Sequence, residues 1–299
     1  MILITHWDID GIFCLYLFYK RFGDRFKVYF SGPRSINRVL SKLIYEGKNN
    51  EELFITDIAT NQVSLYLSAC FNGAHWIDHH EIDSFDVPKG VEIFIKRYKS
   101  AARCVADYFN LEDNYLDIVD DIDSNNIRSD LERDLRDLVT AIRYFNPKTY
   151  PIYFENIAKE LNSGIPIENI IEKRKKILKD YREYLKKKED YIILSTKIFN
   201  LSGRKVFIVE MEYDIPSYNI IEILQKRLGG NIDYIVILYG NRGEIRTTTE
   251  KNVLEIAKCL GGGGHRYAAG FQYDNKDLIV EKIKECIEKV IKNEEKLIG

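Results

Sequence analysis

Apolar positions along the chain fall into short runs divided by polar, often acidic, loops. Met1–His6 has the continuous apolar character of a buried strand, and Ile12–Phe22 has the length of a helix. Between them lies Trp7-Asp8-Ile9-Asp10-Gly11. The alternation continues through a strand at Lys27–Phe30, a helix at Ile36–Tyr45 and a strand at Glu52–Thr56 that ends at Asp57. A helical stretch, Gln62–Cys70, then precedes a strand, Ala74–Ile77, that ends at Asp78-His79-His80. Strands separated by helices, each running into a polar loop, predict an α/β fold with a parallel sheet and ligands at the strand C-termini.

Ser100 is placed to cap a helix over Ala101–Phe109, and Tyr115–Val119 leads into Asp120-Asp121-Ile122-Asp123. Beyond Pro166, the charged segment Ile167–Asp190 reads as one long connecting helix. Its basic cluster Lys173–Lys176 is interleaved with acids, as on a solvated face. From Tyr191 the pattern becomes strand (Tyr191–Phe199), hairpin (Asn200–Gly203), strand (Lys205–Met211), helix (Tyr218–Leu228) and strand (Ile232–Tyr239). A turn (Gly240–Gly243), a strand (Glu244–Thr249), a helix (Val253–Leu260), the tract Gly261–His265 and an amphipathic helix from Lys276 complete a second, smaller α/β unit. The expected division is therefore 1–150, a helical connector over 151–190, and 191–299.

A length of 299 residues suits two domains. Lys and Arg number 44 against 46 Asp and Glu, a formal charge of −2, which fits a short anionic ligand better than a long polyanion. The five cysteines, Cys14, Cys70, Cys104, Cys259 and Cys286, form no C-x-x-C pair and read as core thiols rather than a disulfide framework or a zinc site. No apolar run reaches the ~18–20 residues that span a bilayer. The first residues carry neither a basic stretch nor a small-residue cleavage site, so a cytoplasmic location and no membrane partner are expected.

Three of the five histidines, His6, His79 and His80, stand beside acids at predicted strand ends. His75, in mid-strand, reads as structural. Imidazole with several carboxylates is the ligand set for Mn²⁺ and similar divalent ions. Asp8, Asp10, Asp57, Asp78 and Asp120 supply more carboxylates than one ion uses, which points to a dinuclear site; helix caps and turns are the plainer alternative for any one of them. Consecutive glycines ahead of an expected helical segment would present N–H groups to an anion, and His265 and Arg266 add to that reading.

Taken in order, His6-Trp7-Asp8-Ile9-Asp10-Gly11, Asp57 after Leu53–Thr56, Asp78-His79-His80 and Ile118-Val119-Asp120 resemble the four motifs of the DHH phosphoesterase superfamily. Gly262-Gly263-Gly264-His265-Arg-Tyr-Ala-Ala-Gly270 resembles the signature of its DHHA1 C-terminal domain, so the resemblance spans essentially the whole chain.

That resemblance implies a two-manganese phosphodiesterase, with Mg²⁺ or Co²⁺ as substitutes, working through a hydroxide activated by two metals in a cleft between domains. It implies that His6 and Asp8 hold one ion, that Asp10, His79 and Asp120 hold the other, and that Asp57 bridges. Asp120 is preferred over Asp121 and Asp123 because it ends the apolar run Leu116–Val119. His80 would meet the scissile phosphate and Asp78 would orient the histidines. Arg246, Gly262, Gly263, Gly264 and His265 would bind the substrate. Glu81-Ile82-Asp83 departs from relatives that carry an asparagine there. The implied substrates are linear dinucleotides such as pApA, nanoRNA and cyclic di-AMP, with a homodimer compatible. The alternative is a RecJ-like single-strand exonuclease, to which the His-x-Asp-x-Asp-Gly form is closer; a non-catalytic nucleotide sensor is the third reading.

Overall fold

The computed structural model describes residues 1–80, 86–212 and 215–298, and the side chains of 276–277 and 295–298 are not described. Glu81-Ile82-Asp83 thus lies outside the described residues. Two compact units divide the chain, Met1–Tyr181 and Arg182–Gly299.

In the first unit, β1 (Ile2–Thr5), α1 (Ile9–Phe22), β2 (Lys27–Phe30), α2 (Ile36–Tyr45), β3 (Leu53–Thr56), α3 (Gln62–Ser68), β4 (Ala74–Asp78) and β5 (Val91–Ile95) alternate along the chain. The strands form one parallel sheet in the order β2-β1-β3-β4-β5. β1 and β3 are buried throughout because helices cover both faces, the reason they read as unbroken apolar runs. One face packs Phe13, Leu17 and Phe18 of α1 into a core with later helices; the other packs Ile36 and Leu40 of α2 and Leu65 of α3. The order reverses direction between β1 and β3, and ligands of doubly wound sheets bind outside the carboxyl ends of the strands at such a point.

Helices α4 (Ala101–Tyr108), α5 (Leu116–Asp123), α6 (Asp130–Phe145), α7 (Tyr150–Asn162) and α8 (Ile167–Lys173) follow, and α9 (Lys175–Leu194) carries the boundary between the units. The expected single helix over Ile167–Asp190 is interrupted at Arg174 and then runs on to Leu194, four residues into the expected strand Tyr191–Phe199. Of the expected connector, Phe154, Ile157, Leu161, Ile170 and Leu178 are buried in the core of the first unit.

The second unit contains β6 (Thr196–Leu201), β7 (Arg204–Met211), α10 (Ser217–Leu228), β8 (Tyr234–Tyr239), β9 (Arg242–Arg246), α11 (Leu254–Cys259), β10 (Gly263–Gly264), β11 (Ala268–Gln272) and α12 (Lys276–Ile298). Its sheet is mixed, in the order β10-β11-β9-β8-β7-β6, with β7 and β8 the parallel pair joined through α10. Phe207, Ile235 and Ile237 face α10, while Val206, Val236 and Ile245 face α11 and α12.

Two expectations about cysteine are corrected here. Cys14 and Cys104 are buried thiols, but Cys70 is exposed, and Cys259 and Cys286 form a disulfide because α11 and α12 bring their Cα atoms within 5.9 Å. No helix among the described residues is long and apolar enough to cross a membrane.

Candidate metal centre

The carboxyl ends of β1, β3 and β4 carry His6, Asp57 and His79 into one place. After β1 the chain turns at once into α1, with Asp8 as its N-cap: the Gly11 N–H donates to Asp8 Oδ1 at 3.1 Å. A Cβ on Gly11 would lie 2.1 Å from the His6 carbonyl oxygen, so this turn requires glycine. The other oxygen of Asp8 lies 2.6 Å from His6 Nδ1. Asp10, in the first turn of α1, is buried, and its two oxygens accept the N–H groups of Ala102 and Ala101 at 2.7 and 2.6 Å. Those N–H groups belong to the first turn of α4, whose N-cap is the expected Ser100.

Asp57 sits just past β3 with φ of 56°, a left-handed conformation that costs a non-glycine residue energy. Its carboxylate is buried; Oδ1 lies 3.9 Å from His79 Nε2, and Oδ2 lies 3.9 Å from His6 Nδ1 and has no hydrogen-bond partner. His79 Nε2 also stands 3.9 Å from Asp10 Oδ2 and 3.5 Å from Asp123 Oδ2. Asp78 is buried and accepts from His80 Nδ1 at 2.9 Å, which fixes that ring and its tautomer. Donor atoms of His6, Asp8 and Asp57, of Asp10, His79 and Asp123, and of Asp57, Asp78, His79 and His80 form three groups, each within 4.8 Å.

Asp120 is not among the groups that the structure brings together. Leu116–Asp123 is a helix, and Asp120 accepts from Ser100 Oγ at 2.6 Å and from Arg103 Nε at 2.7 Å rather than joining the converging groups. Asp121 faces Arg128 at 3.3 Å. Asp123, one turn beyond Asp120, is the acid that reaches His79. Helical spacing of three residues is the signal that would have found it. A second feature that the sequence does not announce is the threonine pair that braces the floor: Thr56 Oγ1 donates to Thr5 Oγ1 at 2.8 Å, and Thr5 Oγ1 donates to the Gly11 carbonyl at 3.0 Å.

The electrostatics are those of a cation site. Burial, followed by the charge of Asp8, pushes Asp10 up to about 8; burial with the charge of Asp10 pushes Asp123 up to about 9 and Asp57 well above the carboxylate range. Burial works against ionised Asp8 too, but the charge and hydrogen bond of His6 outweigh it and hold Asp8 well below its usual value. Burial, then the charge of His80, lowers His79, favouring the neutral imidazole that coordinates metals. For His80 burial acts downward, and the hydrogen bond and charge of Asp78 more than offset it. A carboxylate oxygen left unpartnered in the interior, amid three like-charged neighbours and two imidazoles, fits a hard divalent cation and poorly fits the protein alone.

A pH dependence follows for the chain held without metal. Asp10, Asp57 and Asp123 fold with protons that the unfolded chain releases above about pH 4, so the stability they confer is complete below that range. It is lost as pH rises through about 8 to 9. The melting temperature in EDTA is expected to fall steadily from about pH 5 to about pH 9, and added divalent metal to raise it most at the alkaline end. An EDTA melting curve independent of pH over that window would show that these carboxyls do not carry the assigned protons.

In the second unit the glycine tract follows a helix and opens a strand, so the expected helix N-terminus is not there. Gly263 and Gly264 form the edge strand against β11, and His265 begins the tight turn back, its N–H donating to the Ala268 carbonyl at 2.8 Å. Cβ atoms on Gly262 or Gly264 would meet the β11 backbone, at 2.0 Å from the Gly270 oxygen and 2.6 Å from the Ala269 Cα, which accounts for both glycines; Gly263 faces open space. Arg246 pairs in register with Ala268, which brings it to the same end of the sheet as the His265 turn, and its Nε is buried without a hydrogen-bond partner. His75 is structural as expected, stacked on Phe54 and bonded to Glu52 and Glu92 at 3.1 Å each.

A five-stranded parallel sheet with His/Asp loops at its switch point, followed by a unit with a mixed sheet, defines a fold that solved structures share. A pGpG-specific phosphodiesterase from Vibrio cholerae superimposes with a TM-score of 0.64 at 16% identity, over 98% of this chain and 99% of that one. The DHH domain of a protein described as a member of a ribosomal-protein family gives 0.67 at 15% identity, over 96% and 86%. RecJ from Thermus thermophilus, in complex with Mn²⁺, gives 0.58 at 12% identity, over 97% of this chain and 51% of RecJ. No family model and no curated protein sequence matches the chain. Its fold is the one these structures share, among them a DHH domain.

Proposed function

We propose that the chain is a metal-dependent phosphoesterase that hydrolyses short nucleotides: linear dinucleotides such as pApA, nanoRNA and cyclic di-AMP. The observation that carries this reading is the cluster at the sheet switch point, in which the two oxygens of buried Asp57 face His6 on one side and His79 on the other. In this reading His6 and Asp8 would hold one Mn²⁺ and Asp10, His79 and Asp123 a second, with Asp57 available to both, and Mg²⁺ or Co²⁺ would substitute. Such ions, when bound, bring the pKa of water toward neutrality and polarise phosphoryl oxygens. The fold shared with a pGpG-specific phosphodiesterase and with Mn²⁺-bound RecJ supports the same assignment.

The protein groups have separable tasks. His80, held by Asp78, donates a proton to the leaving oxygen through Nε2, and the hydrogen bond and charge of Asp78, which raise its pKa against burial, favour the protonated ring. The threonine brace and the α4 N–H groups fix the acids so that little rearrangement is needed on binding. In the second unit, Arg246, with an unpartnered buried Nε, and the turn at His265 beside Gly262, Gly263 and Gly264 bind nucleotide phosphate.

A RecJ-like exonuclease is the second reading, favoured by the His-x-Asp-x-Asp-Gly loop and the RecJ fold. Hydrolysis with Mn²⁺ of pApA, cyclic di-AMP, RNA of about two to five residues and single strands of about 30 residues separates the two. Rates that fall steeply with length are expected. Long strands degraded as fast as dinucleotides would replace this reading with the exonuclease, and binding without turnover would replace it with a sensor.

A further inference from the structure

In the basic segment Lys173–Lys176, expected from the sequence to be a solvated helix face, Lys173, Lys175 and Lys176 are exposed as expected, whereas Arg174 is buried and the segment borders a cleft. Arg174 occupies the break between α8 and α9 and is only 8% exposed. Its Nη1 donates to Glu160 Oε2 at 2.7 Å and to the Ile170 carbonyl at 3.1 Å, while the Lys173 ammonium takes the other Glu160 oxygen. The cleft is open to solvent, holds about 580 Å³ and is lined by Tyr153, Asn156, Lys159, Lys173, Arg174 and Lys176, with the Glu160 carboxylate, held by Lys173 and Arg174, also on its wall. Ile165 and Ile177 supply apolar wall. This volume lies in the ~300–1,000 Å³ range of small-molecule sites.

Its charge is unbalanced. Lys159 is answered by Glu155 at 2.9 Å and Asp24 at 3.6 Å. Glu160 is one carboxylate for two cations, Lys173 and Arg174, and Lys176 forms no ion pair with a described residue. Four cations, Lys159, Lys173, Arg174 and Lys176, thus meet three carboxylates, Glu155, Asp24 and Glu160, and one positive charge is left over, that of Lys176, to attract an anion such as a phosphate. Because Lys159 touches Asp24, just past the C-terminus of α1, the cleft lies at the opposite end of that 14-residue helix from Asp10. A rise of ~1.5 Å per residue separates it from the metal cluster by about 20 Å.

We propose that this cleft is a second ligand site of the first unit, for a small phosphorylated nucleoside. Lys176, Lys173 and Arg174 receive the phosphate, the Tyr153 ring offers a stacking face to the base, and the Asn156 amide, exposed and able both to donate and to accept, meets the base edge. The site is independent of the metal cluster and does not require it to be catalytic.

Calorimetric titration of the full chain in Mn²⁺ buffer with AMP, and separately with inorganic tripolyphosphate, tests this, using Lys176→Glu and Asn156→Ala, two exposed positions whose replacement leaves the core intact. Lys176→Glu is expected to weaken AMP at least about tenfold and Asn156→Ala to weaken AMP without changing tripolyphosphate, with His265→Ala retaining the lost component. Wild-type AMP binding in both cleft variants, or AMP binding abolished by His265→Ala and kept by Lys176→Glu, would overturn the site. Tripolyphosphate binding as tightly as AMP in a Lys176-dependent way would overturn the nucleoside assignment.

Discussion

Asp57→Asn is expected to lower hydrolysis of a dinucleotide by at least about a thousandfold while raising the melting temperature of the metal-free chain. Both effects have one cause. The Asp57 carboxylate is buried, faces His6 and His79 with its two oxygens, and leaves Oδ2 without a hydrogen-bond partner, a position tolerable for an anion only beside a cation. An amide of the same shape removes the charge that Asp10, Asp8 and Asp123 repel, so the protein without metal gains stability, most at alkaline pH where the acid is otherwise forced to ionise. The same amide is a poor bridging ligand, so metal affinity falls and activity falls with it. Calorimetric metal titration, a melting curve in EDTA near pH 8 and the hydrolysis rate together read the three consequences. Lost activity with unchanged metal affinity and lowered stability would mean that Asp57 is a structural acid holding its loop.

What is legible without the structure, and what is not, divides along physical lines. β1 and β3 are legible because strands buried on both faces are unbroken apolar runs, and the acids beyond them stand out against those runs. β5 is not, because it is a half-buried edge strand, Val91–Ile95, whose pattern is weak. The start of α1 at Ile9 rather than Ile12 is hidden because Asp8 and Asp10 look like loop residues, although one is the cap and the other is turned inward to the N-terminus of α4. The interruption at Arg174 and the Cys259–Cys286 bond depend on partners distant in sequence, Glu160 in one case and a neighbouring helix in the other, which local periodicity does not carry. The glycine tract is special for the expected reason, close backbone approach, but the element approached is β11 and not a ligand-capping helix.

Asp120 and Asp123 stand one helical turn apart, and their replacement is expected to fail in different ways. Asp123 reaches His79 Nε2 at 3.5 Å, is pushed up to about 9 by burial and by the charge of Asp10, and converges with Asp10 and His79 in one group of three donors. Asp123→Ala should weaken divalent metal binding by more than the ~10–100-fold typical of losing a partner that only supports a ligand, and should leave the metal-free fold as stable or more so. Asp120 instead accepts from Ser100 and Arg103, tying the cap of α4 to α5. Asp120→Ala should cost about 1–3 kcal/mol of stability, a figure discounted because Arg103 is partly solvated, and should change metal affinity little. Metal titration and thermal denaturation of the two variants side by side give a crossed pattern if the helix presents Asp123 to the cluster. The reverse pattern, with metal binding lost in Asp120→Ala and kept in Asp123→Ala, would return the role to the residue that ends the apolar run Leu116–Val119, and would require α5 to rotate by roughly a sixth of a turn and to slide by about one turn along its axis when metal is bound.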